Sequence, residues 1–155
     1  MHKIVKKEIA GHTIIDVSGR LDETTDFNKS VGTVLNEVHV FCRNTERMNS
    51  FGIRNWLRFF ESLKRKGNIV KFFECSATVV NLMNLFHNFP CGGEVVSICL
   101  PYYCRTCDVE YDAVVNISDL KSAEFKIPNR VCKTCGGLVE FDEHSRDYFE
   151  FFMNS

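Results

Sequence analysis

A chain of 155 residues, of which 45% are hydrophobic and 25% charged, is large enough to bury a core, and this composition is not that of a disordered chain. The formal net charge of -1 gives no large field that would attract nucleic acid or an anionic membrane. The charge is divided unevenly, because residues 1 to 100 carry a net +3 and residues 101 to 155 a net -4. We therefore expect two parts of different character.

The N-terminus and the longest uncharged stretch predict a cytoplasmic protein with no membrane span. Residues 3 to 8 include four charged side chains where a signal peptide would need an apolar run. The longest stretch without Lys, Arg, Asp or Glu, residues 75 to 93, contains three asparagines, a histidine and a proline, so it is too polar to cross a bilayer. In a reducing compartment the eight cysteines are expected to bind metal or to be buried thiols.

Short strands and helices alternate through the first 100 residues. Residues 3 to 9 and 12 to 18 have the pattern of two strands with a bend at Gly11, which predicts an opening hairpin. The spacing of apolar residues from 27 to 35 predicts a short helix. Further strands are predicted at residues 37 to 42, 69 to 73 and 94 to 100.

Two longer amphipathic helices are predicted between these strands. The first begins at Ser50, stops at Gly67 and has an apolar face that includes Trp56. The second has Ser76 as its N-cap and Pro90 beyond its end. This order of elements predicts an α/β fold in which helices pack on a mixed β-sheet.

The start of the first amphipathic helix carries a family resemblance. Residues 48 to 56 read MNSFGIRNW, and they resemble the signature loop of STAS domains, the family that includes the bacterial anti-sigma-factor antagonists. Residues 18 to 22 read SGRLD and are similar to the family's second strand and its exit. By element order the resemblance spans residues 3 to 100, and it implies a STAS-like mixed sheet there.

The resemblance also implies a phosphorylation switch at Ser50. In the antagonists this loop reads Asp-Ser-Ser-Gly or a close variant, and its first serine is phosphorylated by a partner kinase that also serves as the anti-sigma factor. Ser50 matches that serine, whereas Asn49 stands where the family usually has Asp, and Phe51 where Ser or Thr is common. The expected protein partner, a serine kinase or anti-sigma factor, would contact the surface formed by Asn49, Ser50, Phe51, Arg54 and Arg58.

A second interpretation of Ser50 is structural. A serine directly before an amphipathic helix is a preferred N-cap, because its oxygen accepts a hydrogen bond from an unpaired backbone NH. Both interpretations are compatible, since the positive end of the helix dipole also stabilises a phosphate.

The strongest chemical pattern in the chain is a pair of CxxC motifs, formed by Cys104 with Cys107 and by Cys132 with Cys135. Two cysteines three apart at a turn aim both thiolates at one ion, so the four predict a structural Zn²⁺ site in a small β-rich, zinc-ribbon-like element. Four thiolates leave no open position for water, so the ion is expected to stabilise the fold rather than to catalyse a reaction. An iron-sulfur cluster, a redox pair and four unrelated thiols are the alternatives.

The charge pattern around these motifs disfavours nucleic acid as a partner. Zinc ribbons often bind nucleic acid, but residues 101 to 155 are net acidic. Residues 116 to 130 carry interspersed charges of both signs, which predicts a solvated loop rather than a phosphate-binding surface.

We expect a structural role for the remaining cysteines, the histidines and the C-terminal tail. Cys42, Cys75, Cys91 and Cys99 have no paired spacing and are expected to be small buried side chains. The five histidines are scattered along the chain and give no indication of a second metal site. The aromatic tail, residues 148 to 152, is expected to be buried, either within the chain, which is the commoner outcome, or in a partner.

The sequence therefore predicts a STAS-like domain at residues 1 to 100 and a zinc-ribbon-like four-cysteine element with an aromatic tail at residues 101 to 155. We expect a non-enzymatic bacterial signalling protein that binds a protein partner. Two other functions stay open: a zinc-ribbon regulator that binds nucleic acid, and a STAS-type sensor of a nucleotide or lipid. No Gly-rich phosphate cradle or paired catalytic groups support the sensor.

Overall fold

The computed structural model describes residues 1 to 154 and contains two β-sheets with helices. The first part of the chain contains β1 His2–Ile9, β2 His12–Leu21, α1 Phe27–Val31, β3 Glu37–Phe41, β4 Thr45–Met48, α2 Ser50–Arg65, β5 Ile69–Phe73, α3 Ala77–Leu85 and β6 Glu94–Val95. The second part contains β7 Ser97–Cys104, β8 Val109–Asn116, α4 Ile117–Ser122, β9 Arg130–Val131, β10 Leu138–Phe141, α5 Ser145–Tyr148 and α6 Glu150–Met153.

The first sheet is mixed, as the sequence predicts. Strands β1 and β2 form the expected antiparallel hairpin, and β2, β3, β5 and β6 then follow one another in parallel. The order across the sheet is β1-β2-β3-β5-β6, and β4, which the sequence analysis did not predict, pairs in parallel with the end of β2. The α/β class is therefore confirmed.

One face of this sheet carries the core. Side chains alternate along the strands, so that Ile15, Val38 and Phe72 are fully buried on that face. Trp56 of α2 stacks between Phe72 and Phe89, with ring centroids 5.7 and 4.9 Å away. Its indole Nε1 donates a hydrogen bond of 3.1 Å to the carbonyl of Phe89, so this large side chain is buried without an unpaired polar atom.

The second sheet is antiparallel, with the order β8-β7-β10-β9. Its strands form two hairpins, β7 with β8 and β9 with β10, and β10 pairs with β7 to join them. A β-rich C-terminal element is therefore confirmed. It places the two turns that contain the cysteines side by side.

The single strand predicted at residues 94 to 100 is divided into two strands, β6 and β7, in the structure. The regular pairing with β5 ends at Val95, and β7 pairs with β8 in the second sheet, although Ile98 still forms a parallel bridge with Cys75. The predicted boundary between residues 100 and 101 lies within β7, and buried side chains from both sides of it belong to one hydrophobic cluster. The division into two domains stays a prediction.

Two other local predictions need correction. Helix α1 ends at Val31, because Gly32 has a positive φ of 66° that stops the helix before residue 35. Residues 116 to 130 are not only a solvated loop, since they include α4, whose Ile117 and Leu120 are buried in the core. Spacing of two apolar residues over one turn was too short a pattern to reveal this helix.

The aromatic tail packs within the chain, as expected. Tyr148, Phe149 and Phe152 are buried. Asn84 of α3 holds the tail, because its Nδ2 donates to the carbonyl of Tyr148 at 3.1 Å and its Oδ1 accepts from the backbone NH of Phe151 at 2.9 Å.

An ion pair joins the two sheets on the surface. Arg43, just after β3, donates from Nη2 to Oδ1 of Asp112 in β8 at 2.8 Å and from Nε to Oδ2 at 3.1 Å. A third contact, of 3.6 Å, runs from Arg43 Nη1 to Glu74. The bidentate geometry fixes the end of β3 against β8.

Candidate metal centre and the surface around Ser50

The four predicted ligands come from two turns at one end of the second sheet. Cys104 is the last residue of β7, and Cys107 lies in the turn that leads into β8. Cys132 follows β9 directly, and Cys135 lies in the turn before β10. Because β10 pairs with β7, the two turns face each other.

The sulfur atoms are arranged as the ligands of a single ion would be. Cys104 Sγ lies 3.7 Å from Cys135 Sγ, and Cys132 Sγ lies 3.8 Å from Cys107 Sγ. All four sulfur atoms lie within 4.8 Å of one another. A tetrahedron with metal-sulfur bonds of about 2.3 Å has edges of about 3.8 Å, which these distances match. The four cysteines could therefore hold a metal ion.

Backbone hydrogen bonds shape the second turn. The NH of Gly136 donates to the carbonyl of Cys132 at 2.9 Å, and the NH of Cys132 donates to the carbonyl of Gly137 at 2.7 Å. Gly136 has a φ of 72°, a conformation that glycine adopts without strain. The glycine after the second CxxC motif is thus required by the turn that brings Cys132 and Cys135 together.

One of the four thiols is prepared to lose its proton. The hydroxyl of Tyr111 lies 3.0 Å from Cys132 Sγ, and the backbone NH of Thr134 lies 3.4 Å from it. The hydroxyl of Tyr111, followed by the backbone NH groups of Cys135 and Thr134, lowers the pKa of Cys132 to about 6. The neighbouring sulfur of Cys135 and burial raise the pKa of Cys107 to about 12. A metal ion would be met by a thiolate at Cys132 and would release protons from the other thiols.

Tyr111 is a candidate functional residue that the sequence analysis missed. It lies in β8, and its contact with Cys132 depends on how the β7–β8 hairpin meets the β9–β10 hairpin. The only local signal was an aromatic residue four positions after Cys107. Such a signal does not show which cysteine the hydroxyl reaches.

The other four cysteines are buried, as expected. Cys42, Cys75, Cys91 and Cys99 are each at most 5% exposed. Burial raises the pKa of the Cys75 thiol well above its usual range, that of Cys91 to about 11 and that of Cys99 to about 12. These three thiols stay protonated at neutral pH, so they are poor nucleophiles and poor ligands.

The prediction that Ser50 caps its helix is wrong. The N-cap of α2 is Asn49, whose Oδ1 accepts a hydrogen bond of 2.9 Å from the backbone NH of Gly52. Ser50 is the first residue inside the helix and is exposed. Within residues 1 to 154 its hydroxyl has no hydrogen-bond partner, so it is free for another role.

The other residues of the predicted partner surface lie on the same exposed side of α2. Phe51 is 48% exposed, and the guanidinium carbon of Arg54 lies 5.5 Å from the centre of its ring. Ser50, Arg54 and Arg58 follow one another at intervals of four residues, so they form one row along the helix. Asn49 also donates from Nδ2 to Glu23 at 3.2 Å, which ties this surface to the loop after β2.

Close packing fixes where α2 begins. The backbone NH of Asn49 donates to the carbonyl of Leu21 at 3.1 Å, which places the first turn of α2 against the end of β2. A Cβ at Gly52 would lie 2.6 Å from the carbonyl carbon of Leu21, so no other residue fits there without displacement. The glycine in the MNSFG segment is therefore explained by this contact.

The histidines are not all scattered in space. His12 at the start of β2 and His39 in β3 both lie beside Glu37, and their ligand atoms lie within 4.8 Å of one another. The hydrogen bonds from His39 and Lys71 lower the pKa of Glu37. The spacing of Glu37 and His39 along one strand was visible in the sequence, but the approach of His12 depends on the register of β2 with β3.

Comparisons with protein-family models, with curated proteins and with solved structures found no match to this chain. Within residues 1 to 154 no helix is long and apolar enough to cross a membrane. The assignment of a function therefore depends on the residues and their geometry.

Proposed function

We propose that this chain is a cytoplasmic, non-enzymatic signalling module of the STAS type, which binds a protein partner through the surface formed by Asn49, Ser50, Phe51, Arg54 and Arg58. The observation that carries the proposal is the first turn of α2, where an exposed phenylalanine and an unpaired serine hydroxyl stand beside two arginines. The resemblance of residues 48 to 56 to the antagonist loop supports it.

The exposed aromatic and guanidinium groups favour a protein partner. Aromatic and arginine side chains carry most of the energy in protein interfaces, because they bury large areas and make directional contacts. Phe51 and Arg54 hold each other in place and present both features together. Since arginine is positive, an interface that includes acidic side chains fits this surface.

A phosphate on Ser50 would compete with the ring of Phe51 for the guanidinium group of Arg54. A phosphate at the first residue of α2 lies at the positive end of the helix dipole, where added negative charge is stabilised. Arg54 lies one turn further on and can pair with the phosphate, which would draw it away from Phe51. Glu23, held near Asn49, would oppose the added charge. Phosphorylation is therefore expected to weaken binding of an acidic partner.

The metal centre has a supporting role in this proposal. We propose that Cys104, Cys107, Cys132 and Cys135 hold a Zn²⁺ ion with a closed set of four thiolates, which stabilises the β9–β10 hairpin, whose two strands have no buried side chain. The acidic character of residues 101 to 155 makes nucleic acid a poor ligand for this element.

The test is site-specific photocrosslinking in cells, with the crosslinking residue at position 51 and, as a matched control, at position 66 near the far end of the same helix. We expect position 51 to capture a serine protein kinase and position 66 not to capture it. With that partner purified, Phe51→Ala and Arg54→Ala should each weaken binding at least about fivefold, and Ser50→Asp should also weaken it. Lys66→Ala serves as the control that leaves binding unchanged.

The phosphorylation step is tested separately with the same kinase and ATP. We expect intact mass to show one added phosphate, which is lost in Ser50→Ala and kept in Ser30→Ala, an exposed serine on α1. Binding that is indifferent to Phe51→Ala, Arg54→Ala and Ser50→Asp would remove the proposed surface. A phosphate that persists in Ser50→Ala would remove the proposed switch.

A further inference from the structure

A second set of metal-binding side chains lies on the first sheet, away from the four cysteines. His12 begins β2, and Glu37 and His39 lie in β3, which pairs with β2 in parallel. These residues alternate with Thr13, Val38 and Val40, which are buried in the opposite face. The three side chains therefore share the face of the sheet that does not carry the core.

Each of the two imidazoles lies close to one oxygen of the Glu37 carboxylate. His12 Nδ1 lies 3.1 Å from Glu37 Oε2, and His39 Nε2 lies 3.2 Å from Glu37 Oε1. Ligand atoms held at about 2.1 Å from a tetrahedral ion are about 3.3 Å apart. The two imidazole nitrogens lie within 4.8 Å of each other, and the stacked rings must tilt toward each other for both lone pairs to reach one ion.

One ring nitrogen of His12 has no hydrogen-bond partner. Its Nδ1 is shielded from solvent and makes no hydrogen bond, although Glu37 Oε2 lies 3.1 Å away. A buried polar atom without a partner is costly in a folded protein. Its lone pair is therefore available to a cation placed between the imidazole and the carboxylate.

The surroundings hold the set in place and leave one side open. The rings of His12 and His39 stack with centroids 4.7 Å apart, and His39 packs against Phe73 at 5.0 Å. The three side chains are between 18% and 35% exposed, so solvent can reach a fourth coordination position. Lys71 Nζ, 3.1 Å from Glu37 Oε1, is the cation that now pairs with the carboxylate and would compete with a metal.

We propose that His12, Glu37 and His39 form a second metal site, which binds a divalent transition metal such as Zn²⁺, Co²⁺ or Ni²⁺ through two imidazoles and one carboxylate. Imidazole and carboxylate ligands suit these ions, whereas four thiolates form the other site. The ion would displace Lys71 Nζ from the Glu37 carboxylate, whose two oxygens each lie beside one imidazole nitrogen. Because a coordination position faces solvent, the ion exchanges more readily than one enclosed by four cysteines.

The test uses Co²⁺ as the probe on protein whose four-cysteine site already holds zinc. Calorimetry measures the Co²⁺ bound, and elemental analysis confirms that the zinc is retained. We expect one Co²⁺ per chain, with its paramagnetic broadening of amide signals confined to residues near 12 and 37 to 39 and absent near 132 to 137. His12→Gln and His39→Gln should each weaken Co²⁺ binding more than about tenfold.

Matched variants separate this site from weak binding by surface histidines. His87→Gln and His144→Gln change exposed histidines elsewhere and should leave Co²⁺ binding unchanged. Lys71→Met removes the competing cation and should tighten binding. If a histidine variant does not fold, as judged by its melting transition without Co²⁺, Glu37→Gln removes only the ligand charge and should weaken binding in its place.

Three results would overturn the proposal. They are the absence of any Co²⁺ bound beyond the zinc, equal binding by the His12, His39 and His87 variants, and broadening that appears only around the cysteines. None of these results bears on the surface around Ser50, so the two proposals fail independently.

Discussion

The hydroxyl of Tyr111 lies 3.0 Å from the sulfur of Cys132, and it joins the two hairpins that supply the four candidate metal ligands. As a donor it favours the thiolate form of Cys132, and the same contact raises the pKa of Tyr111, so the tyrosine keeps its proton. A ligand whose charge is stabilised before the ion arrives binds that ion more tightly, because less deprotonation work is left to do.

Tyr111→Phe should therefore weaken metal binding by about 10-fold or more, while the fold is kept. Competition with a coloured zinc chelator at constant pH measures this change. Tyr103→Phe is the matched control, because its hydroxyl contacts Asp108 in the same element and no cysteine. Equal affinities for the two variants would show that the Tyr111 hydroxyl does not act on the ligand.

Removal of the metal should unfold one part of the molecule first. Metal binding of this kind contributes on the order of 10 kcal/mol, and the β9–β10 hairpin has few buried side chains apart from Cys132. With a strong chelator, we expect hydrogen exchange to accelerate in residues 130 to 141 and to stay slow in β2, β3 and β5. Cys135→Ser should behave like the chelated protein, whereas Cys91→Ser should keep one zinc per chain.

The capping residue of α2 can be identified by a pair of alanine variants. Asn49→Ala removes the acceptor for the Gly52 NH and should lower the free energy of unfolding by about 1 kcal/mol. Ser50→Ala removes an exposed hydroxyl that caps nothing, so it should change that free energy by less than about 0.5 kcal/mol. Urea denaturation of both variants measures the two losses in the free energy of unfolding. A larger loss for Ser50→Ala than for Asn49→Ala would show that Ser50 is the cap.

Gly52 should tolerate no side chain. A methyl group there would meet the backbone of Leu21, so Gly52→Ala should lower the free energy of unfolding by about 1 to 3 kcal/mol despite the higher helix propensity of alanine. Gly67→Ala is a comparison at the other end of the helix, where a Cβ meets nothing within 4 Å but φ is 80°. Any loss of stability in Gly67→Ala would come from backbone strain alone. A Gly52→Ala variant as stable as the wild type would contradict the close contact between residue 52 and the backbone of Leu21.

The contribution of the Arg43–Asp112 ion pair to the free energy of unfolding should decrease as the pH falls. The hydrogen bonds from Arg43 hold the pKa of Asp112 below its usual value. A carboxyl with a lower pKa in the folded protein stabilises the fold above about pH 4, and this contribution is lost as the pH falls through the folded-state pKa. Because both side chains are more than 40% exposed, we expect at most about 1 kcal/mol.

Urea denaturation of the wild type and of Asp112→Asn at several pH values measures this contribution. The difference between them should be present at pH 7 and shrink toward zero below pH 4, if the pair acts through charge. A difference that is independent of pH would mean that Asp112 contributes through packing or neutral hydrogen bonds instead.

Patterns formed by close neighbours in the chain were sufficient for much of the structure. The opening hairpin, the helix after residue 49 and the N-cap at Ser76, which accepts from the NH of Val79, follow from spacings of a few residues. The pairing of the two CxxC motifs was also predictable, because each pair reaches one ion through its own turn and only four thiolates complete the shell.

The tertiary structure alone decided the rest, because those features depend on where distant strands meet. Val96 interrupts the predicted strand, and no local pattern marks the point where a strand changes its main partner. Asn49 rather than Ser50 became the cap once the chain was held at Leu21. The contacts of Tyr111 with Cys132 and of His12 with Glu37 join residues at least 20 positions apart, so strand register brings them together. The sequence by itself determined which side chains could bind a metal. The register of the strands in the two sheets determined which of these side chains lie next to one another.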